Sequence, residues 1–402
     1  MTIGWNPTRL GEVVKIKHGF AFSGMAENAD SSLPVVVGIG NFDYAGGFRF
    51  GSTTVKRFIG NYPPEFTLTP GDVLLAMTCQ TAGGEILGIP GTVPDDGQTY
   101  LHNQRLGKVE VLDPTRIDLR FFFQLARWQP FNHHLFATAS GSKILHTSPG
   151  RIEDFAVDLP PLPEQQSIAA VLGAVDDKIE SNRRASEIAL TLAETYFQQV
   201  APVAATERLS GHATVVLGGT PSRKRLELWQ DGTVPWIASG AANADIVMEP
   251  TELITNAALH GSAAKLMPKG ATVVAITGAT LGQVALLGIE TSGNQSLVGV
   301  WSQDQYMTSW LHFALRASVG ELMKSATGAA QQHVNKGNIA DLMIPIPDAE
   351  DLRAWGETCM PLISRAIQLS EERQRLISLR DALLPALLSG RIRASDLEGQ
   401  PE

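Results

Sequence analysis

A long internal repeat constrains the fold of this chain of 402 residues more than any other feature of its sequence. Residues 141–160 return 187 positions later as residues 328–347, and six residues coincide in that window. The coinciding pairs are Gly141/Gly328, His146/His333, Gly150/Gly337, Ile152/Ile339, Asp154/Asp341 and Pro160/Pro347. Chance would match roughly one position in twenty at average residue frequencies. The sequence therefore predicts two related domains.

Earlier segments of the two copies also match. Six pairs share an offset of 199 residues: Leu10/Leu209, Gly19/Gly218, Gly71/Gly270, Ala76/Ala275, Thr78/Thr277 and Gly83/Gly282. Asn103-Gln104 then matches Asn294-Gln295 at an offset of 191 residues, so we expect shorter loops in the second copy. The period is too long for a solenoid, whose units are about 20–50 residues long. Two diverged domains indicate a protein that contacts two similar but non-identical things.

Each copy carries short β-rich runs, separated by Gly, Pro, Asn and Asp, and then a helical segment. The predicted strands lie within residues 33–39, 72–77 and 108–112 of the first copy and within 234–237, 271–276 and 297–301 of the second. The helical segments lie near residues 119–126 and 308–323. We therefore predict a mixed α/β domain for each copy.

A long helical pattern follows each copy. Heptad positions in the first are Ile168, Val175, Asn182, Ala189 and Tyr196, beside Leu172, Ile179, Ser186 and Ala193; those in the second are Leu362, Leu369, Leu376 and Leu383, beside Ile363, Ile377 and Leu384. Such repeats are typical of helices that pack along a seam. We predict that the two helices pair antiparallel as a rigid spacer, roughly 55 Å long at about 1.5 Å per residue. The alternative is that each helix packs only on its own domain.

Three further features bear on these helices. Asp348 is a plausible N-cap of the second helix, and Pro361 and Pro385 are expected to kink or interrupt it. Asn182 in the seam either fixes the register or marks a solvated kink.

The predicted fold class is α+β, with two similar mixed α/β domains separated by two long antiparallel, coiled-coil-like helices. The predicted boundaries are 1–160 for the first domain, 161–200 for the first long helix, 201–347 for the second domain, 348–393 for the second long helix and 394–402 for a flexible tail.

Composition predicts a soluble, cytoplasmic, globular protein. Hydrophobic residues make up 44% of the chain and charged residues 18%, which excludes wholesale disorder. The N-terminal residues lack the pattern of a signal peptide, so we expect none. Residues 271–289 carry no charge and approach spanning length, but Thr and Gly interrupt them, so we expect a buried strand-turn-strand.

No catalytic or metal-binding motif is recognised. Cys79 and Cys359 lie far apart in no metal-binding pattern, and the adjacent His133 and His134 would face different ways on a regular element. The segment 38–40 lacks the third glycine of a dinucleotide-binding loop, and no Walker-type loop is present. The acidic residues 348–351 are better explained by helix capping than by a nuclease centre. We expect no active site, no metal and no cofactor bound by this chain.

The candidate binding residues cluster around the repeated histidines, whose alternative interpretation is a packed or capping role. They are Lys143, His146, Ser148 and Arg151 in the first copy and Gln331, Gln332, His333, Asn335, Lys336 and Asn338 in the second. These residue types contact phosphates or base edges. The basic run Arg223, Lys224 and Arg225 is a further candidate for phosphate contacts, although an ordinary solvated surface explains it equally well.

Net charge does not decide whether the partner is DNA. The chain carries a formal charge of −9, whereas a simple DNA-binding protein usually has a basic face. The charge is −2 over residues 1–158 and −1 over residues 201–347, and the remaining −6 lies in the helical segments and tail. Near-neutral domains can still present a local basic surface.

The layout and one motif resemble a known family. The run 159–165, Leu-Pro-Pro-Leu-Pro-Glu-Gln, opens the first long helix, followed by Ile168, Asp176 and, after the second helix, Gly390 with Arg391-Ile392-Arg393. Together with the repeat, this is similar to the specificity (S) subunit of type I restriction-modification enzymes. The second helix entry, residues 346–350, departs from the family pattern.

The resemblance implies a non-catalytic, DNA-binding subunit. Each copy would be a target-recognition domain that reads one half of a bipartite DNA sequence. The polar segments that differ between the copies predict an asymmetric, gapped target, and the length of the helical spacer predicts domains about one duplex turn or slightly more apart, at about 34–36 Å per turn. Two modification subunits would carry S-adenosylmethionine and methylate adenine. Restriction subunits would use ATP and magnesium. The competing hypothesis is an adaptor whose two domains recruit proteins without reading DNA.

Overall fold

The computed structural model describes residues 4–23, 25–27, 30–51, 54–324 and 333–397. Its contacts divide the chain into two compact units. Unit 1 comprises Met1–Asp177 and Ser378–Glu402, and unit 2 comprises Lys178–Ile377. Each unit contains one copy of the repeat together with part of both long helices.

Unit 1 consists of a five-stranded sheet in the order β3-β5-β4-β10-β6, a four-stranded sheet in the order β2-β11-β7-β9, and the strand pairs β1-β13 and β12-β8. The strands are β1 (Asn6–Arg9), β2 (Val14–His18), β3 (Met25–Glu27), β4 (Val35–Val37), β5 (Lys56–Phe58), β6 (Thr67–Leu68), β7 (Val73–Ala76), β8 (Thr78–Cys79), β9 (Pro90–Thr92), β10 (Tyr100–His102), β11 (Leu106–Val111), β12 (Leu145–His146) and β13 (Ala156–Leu159). The helices are α1 (Leu119–Ala126), α2 (Gln129–Thr138), α3 (Pro149–Glu153) and α4 (Leu162–Val200), which ends in unit 2.

Unit 2 consists of a five-stranded sheet in the order β15-β23-β20-β21-β17, a four-stranded sheet in the order β18-β16-β22-β19, and the pair β14-β24. The strands are β14 (Ala205–Arg208), β15 (Thr214–Leu217), β16 (Val234–Ile237), β17 (Ile246–Val247), β18 (Glu252–Ile254), β19 (Leu266–Met267), β20 (Thr272–Ala275), β21 (Val284–Leu287), β22 (Thr291–Gly293), β23 (Leu297–Trp301) and β24 (Met343–Ile346). The helices are α5 (Asn256–Gly261), α6 (Gln305–Lys324), α7 (Lys336–Ala340) and α8 (Ala349–Leu388), which ends in unit 1.

The strand pairings confirm that the two copies share one fold. The order β2-β11-β7-β9 corresponds to β15-β23-β20-β21, and the parallel pair β4-β10 corresponds to the parallel pair β16-β22. The register also agrees, because Leu106 pairs with Ala76 in the first copy and Leu297 pairs with Ala275 in the second. Each copy adds one strand of its own, β3 in the first and β17 in the second.

One pairing of repeated residues predicted from the sequence is wrong. Gly282 donates its N–H to Ala275 O at 2.9 Å, and the residue that makes the same bond to Ala76 O is Gly88, at 2.8 Å, rather than Gly83. Both Gly88 and Gly282 have a positive φ, at 79° and 84°. The loop after β7 is therefore five residues longer than the loop after β20. The constant offset of 199 residues ends within this loop, so the counterpart of Gly282 is Gly88.

Apolar strands and capped helices account for the cores of the units. All four residues of β7 and all four of β20 are buried, as expected for central strands flanked on both faces. The Asp118 carboxylate accepts hydrogen bonds from two backbone N–H groups at the start of α1, and Asp348 does the same at the start of α8. The prediction that Asp348 caps the second long helix is thus confirmed.

The two long helices run antiparallel within each unit. In unit 1, Asp176 Oδ1 of α4 lies 3.5 Å from Arg380 Nη1 of α8. In unit 2, Ser186 Oγ donates to Ala366 O at 3.1 Å, and Ala193 O lies 4.0 Å from Cys359 Sγ. Because positions later in α4 contact positions earlier in α8, the predicted antiparallel pairing is confirmed. The helices also pack on the domains, since Leu172 and Leu387 join the core of unit 1.

Two details of the long helices refine the prediction. Helix α8 is continuous through Pro361 and Pro385, so neither proline interrupts it, and the predicted alternative of a kink stays a prediction. Each proline removes a single helical hydrogen bond, and burial of neighbours such as Ile363 and Ala366 offsets that loss. The second detail is the seam position at the end of α4, where the predicted residue Tyr196 is exposed and Phe197 is buried instead. A straight helix drifts about 20° per heptad from a strict seven-residue repeat, so the buried face moves to the next residue.

The uncharged segment 271–289 forms β20, a short 3-10 turn and β21, as predicted. Within the described ranges, no helix is both long and apolar enough to cross a membrane.

Candidate nucleic-acid interface

Four loops of unit 1 meet at one edge of the domain, and we call this meeting point the junction. The loops follow β2, β7, β10 and α2 along the chain. Gln104 N donates to Phe20 O at 2.9 Å, Met77 N donates to Arg105 O at 3.0 Å, and Thr147 N donates to Met77 O at 2.9 Å. Backbone hydrogen bonds thus hold the junction together, so the side chains it carries are presented on a fixed frame.

Unit 2 repeats the junction with equivalent residues. Ile276 N donates to Ser296 O and Val334 N donates to Ile276 O, both at 2.9 Å. The antiparallel bridge of His146 with Thr78 recurs between His333 and Thr277. The loops come from segments 218–220, 277–282, 294–296 and the residues from 333 onward. The two domains therefore hold the same backbone arrangement at the same edge.

Glycines explain why two of these loops approach so closely. A Cβ atom added at Gly19 would lie 2.3 Å from Asn103 O, and one added at Gly218 would lie 2.2 Å from Asn294 O. Both distances are far inside van der Waals contact, so only glycine fits at these positions. In each copy the repeated glycine thus contacts the repeated asparagine: Gly19 packs against Asn103, and Gly218 packs against Asn294.

The repeated histidines both lie at the junction with exposed side chains. His146 Nδ1 lies 3.0 Å from Thr78 Oγ1, which orients the ring while Nε2 makes no hydrogen bond to any residue the structure describes. In the second copy, Thr277 Oγ1 instead donates to Ser296 Oγ at 2.7 Å. The two histidines therefore share a position but not a partner.

The other candidates of the first copy surround His146. Lys143 is exposed in the loop before β12, and Ser148 precedes the first residue of α3. Arg151 Nη1 donates to His146 O at 3.3 Å, and Arg151 O lies 2.9 Å from His134 Nε2. Arg151 is therefore partly engaged within the domain, whereas Lys143 projects into solvent.

The candidates of the second copy lie at the start of α7. Asn335 and Asn338 form a reciprocal capping box, with N–H to Oδ1 distances of 2.9 and 3.0 Å, so their side chains serve the helix. Lys336 between them is exposed. Gln331 and Gln332 lie outside the described residues, and their predicted contact with bases stays a prediction.

The basic run of the second copy lies next to the junction. Arg223 forms a two-pronged ion pair with Glu252, both bonds being 2.6 Å long, and its guanidinium carbon lies 3.6 Å from the centre of the Trp229 ring. The hydrogen bonds that Arg223 donates to the Glu252 carboxylate raise the pKa of Arg223. Trp236 Nε1 donates to Gly219 O, which connects this cluster to the junction. Arg225 pairs with Glu227 at 2.8 Å.

Lys224 differs from its two neighbours. It is exposed and makes no ion pair with any residue in the described ranges, so its charge is available to an anion. Of the three basic residues, Lys224 has the environment that best suits a phosphate contact.

The list of candidates from the sequence omitted four junction residues: Gln104, Arg105, Gln295 and Ser296. A signal was present for the two glutamines, because Asn103-Gln104 and Asn294-Gln295 match between the copies; Arg105 and Ser296 differ and gave none. Among the described residues, no cluster of three or more His, Cys, Asp and Glu side chains is arranged to hold a metal ion.

The fold and the junctions define a class of protein with two related binding domains on a shared pair of helices. A sequence profile described as the type I restriction modification DNA specificity domain matches residues 2–190 and again residues 206–377. The chain belongs to this family.

Individual relatives agree with this assignment. The specificity subunit of the type I restriction enzyme EcoR124I/EcoR124II from Escherichia coli is 23% identical over 168 residues, 40% of this chain and 42% of that subunit. The MjaIX specificity subunit from Methanocaldococcus jannaschii is 22% identical over 304 residues, 69% of this chain and 70% of that subunit. The match thus spans less than half of the first relative. The S subunit of a type I restriction-modification system from M. genitalium has the same fold, with a TM-score of 0.60, 15% identity and 96% coverage of both chains.

Proposed function

We propose that this chain is the DNA-reading specificity subunit of a type I restriction-modification complex and is not itself an enzyme. The observation that carries the proposal is the junction, which has the same backbone in both domains but carries different side chains. A protein that reads two half-sites needs this combination, because phosphate contacts fix the register whereas side chains at base edges specify sequence. Residues 1–160 and 201–347 would be the two target-recognition domains.

Charge at the junctions supports a DNA ligand. Lys143 and Arg105 in the first domain, and Lys224 and Lys336 in the second, are exposed and have no ion-pair partner within the described ranges. Each such cation that meets a phosphate releases counterions from DNA. An overall acidic chain can therefore bind DNA through these two local surfaces.

An exposed apolar ridge on α4 supports protein partners. Ile188, Leu192 and Tyr196 recur every four residues and are exposed to 67%, 42% and 38%. Side chains four apart share one face of a helix, and a contiguous apolar face on a charged helix suits packing by another protein. We propose that modification subunits bind the long helices here.

The proposal assigns the chemistry to these partners. Two modification subunits would hold S-adenosylmethionine and methylate adenine, and restriction subunits would use ATP and magnesium. The complex would act in the cytoplasm, where chromosomal DNA is accessible. This chain would supply the choice of sequence and the scaffold.

Mapping of methylated adenines tests the proposal. A host that carries the partner genes with this chain should acquire one asymmetric, gapped methylation motif, and the same host without this chain should lack it. A palindromic motif, a single continuous site or an unchanged methylation map would contradict the proposal.

Binding measurements separate this function from that of a protein-recruiting adaptor. The purified complex should bind duplex DNA with an affinity that falls as salt rises, since phosphate contacts release counterions. Partner binding without any salt-dependent DNA binding would favour the adaptor.

A further inference from the structure

The turn after β10 and the turn after β22 are built in the same way. In the first, Asn103 Oδ1 accepts a hydrogen bond from Arg105 N at 3.0 Å; in the second, Asn294 Oδ1 accepts one from Ser296 N at 3.0 Å. The backbone carbonyls of the same asparagines accept from Leu106 N at 3.0 Å and from Leu297 N at 3.1 Å. Each turn is thus closed from within, and Gly19 or Gly218 presses against its outer side.

Because each turn is closed from within, the two residues that follow the asparagine present their side chains from a fixed backbone. Gln104 and Gln295 follow the asparagines, and both are exposed. Gln104 makes no side-chain hydrogen bond with any described residue, and Gln295 Oε1 accepts one from Thr220 Oγ1. Neither glutamine packs in a core or closes the turn. The described residues therefore show no structural role for Gln104, and for Gln295 they show one side-chain hydrogen bond, to the neighbouring loop at Thr220.

The following position differs between the domains. Arg105 is exposed and forms no ion pair in the described parts of unit 1. Ser296 is half-buried and accepts the hydrogen bond from Thr277 Oγ1. The long, charged guanidinium of Arg105 thus occupies the position that the short hydroxyl of Ser296 occupies on the same backbone.

We infer that these turns read bases, an inference that rests on the proposed function. The glutamines read the base type that the two half-sites share. The difference between Arg105 and Ser296 determines a position at which the base differs between the half-sites. A glutamine amide matches adenine at N6 and N7, and a guanidinium matches guanine at O6 and N7. Adenine is therefore the shared base, and guanine is the neighbouring base in the half-site of the first domain only. An arginine replaced by serine loses both hydrogen bonds to that guanine.

Variants made in the complete complex test the inference through the methylation motif. Arg105→Ser should remove the preference for guanine at one position of one half-site, and Ser296→Arg should create a preference for guanine in the other. Gln104→Ala and Gln295→Ala should each relax one adenine, each in its own half-site. Binding to duplexes with single base changes should show discrimination lowered by about 5- to 150-fold at that position alone.

Gln303→Ala is the matched control, because Gln303 is exposed just beyond the opposite end of β23 from Gln295. It should leave the motif unchanged. An unchanged motif in all four junction variants would overturn the inference while leaving the proposed function intact. Equal loss of binding on every sequence, with unchanged melting temperature, would also overturn it, because it would mean phosphate contact. If the unmodified chain directs no gapped motif, the proposed function fails and the inference with it.

Discussion

The two domains hold the same junction with different supports. In the first domain the loop after β7 is long, and Asn132 of α2 anchors it by donating to Gly84 O at 3.1 Å and Leu87 O at 2.9 Å. In the second domain the loop is five residues shorter, and Met323 and Val319 of α6 lie against Gly282 instead. The loop after β7 is thus supported by a short helix, and the loop after β20 is supported by a long one.

This difference shows which parts of the fold can vary independently. Backbone hydrogen bonds and the Gly–Asn contact fix the frame, and those features are present in both copies. Loop length and the side chains on the loops differ. A domain built in this way can change what it contacts without changing how the contacting loops are held.

The largest expected effect comes from breaking the shared frame. Gly19→Ala and Gly218→Ala should each destabilise their own unit by more than about 3 kcal/mol, because the new methyl group overlaps a backbone carbonyl that cannot move freely. Urea unfolding followed by unit-specific fluorescence or hydrogen exchange would measure each loss.

Gly40→Ala and Gly240→Ala are the matched controls, one in each domain. A Cβ atom at either position meets nothing within 4 Å, so each change should shift stability by less than about 1 kcal/mol. If Gly19→Ala were tolerated while Gly218→Ala was not, the two junctions would not be equivalent in energy.

The sequence predicts the frame well because strong local signals define it. The apolar runs of β7, β20 and β23 appear where they were expected, and so do the heptads of the long helices, apart from the position of Tyr196. Helix α2 was missed because it begins with Gln-Pro and carries a weak apolar face. The prolines of α8 do not interrupt the helix, because tertiary packing outweighs a local preference.

The site was harder to predict than the fold. His146 and His333 were predicted as site residues because they coincide in the repeat, but Arg105 and Ser296 differ between the copies and gave no signal. The contact of Gly19 with Asn103 and the backbone hydrogen bonds of the junction bring together segments that lie far apart in sequence. The pairing of Arg223 with Glu252 was likewise invisible, because no pattern connects them.

The long helices differ in seam chemistry between the units, and this difference gives the second prediction. In unit 1 Asp176 of α4 pairs with Arg380 of α8, and its Oδ2 also lies 2.6 Å from Nη1 of Arg127, which follows α1 and whose side chain is 5% exposed. Asp176→Asn should destabilise unit 1 by about 3 kcal/mol, because a nearly buried guanidinium loses its carboxylate. In unit 2 the buried hydroxyl of Ser186 occupies the seam, and Ser186→Ala should cost only about 1 kcal/mol. Chemical denaturation measures both losses.

Glu180→Gln is the control on the same helix. Glu180 pairs with Arg183 and Arg184 in a partly exposed setting, so its loss should cost less than about 1 kcal/mol. If Asp176→Asn lowers the free energy of unfolding by no more than Glu180→Gln does, the ion pair of Asp176 in unit 1 and the hydroxyl of Ser186 in unit 2 contribute equally to stability.

The third prediction concerns a buried histidine in each domain. Burial lowers the pKa of His102 to about 4 and that of His312 to about 3, from an ordinary value of 6.5. Both are therefore neutral in the folded domains, and below pH 6.5 the unfolded chain takes up protons that the folded chain does not. The stabilisation is complete above pH 6.5 and is lost as pH falls towards the folded-state pKa. Between pH 7 and pH 5 each histidine should cost its unit about 2 kcal/mol.

Neutral replacements isolate this pH dependence. His102 Nε2 lies 2.9 Å from Leu106 O, a hydrogen bond that the amide of His102→Gln can keep without titrating. His312 Nε2 is buried with no hydrogen-bond partner in the described structure, and Nδ1 lies 3.3 Å from Thr272 Oγ1, so His312→Gln removes the titrating group and retains an amide that can contact Thr272. Each variant should flatten the pH profile of its own unit between pH 7 and pH 5 and leave that of the other unit unchanged. A profile that is as steep in the variant as in the unmodified chain would show that carboxylates, and not the buried histidine, govern acid stability in that domain.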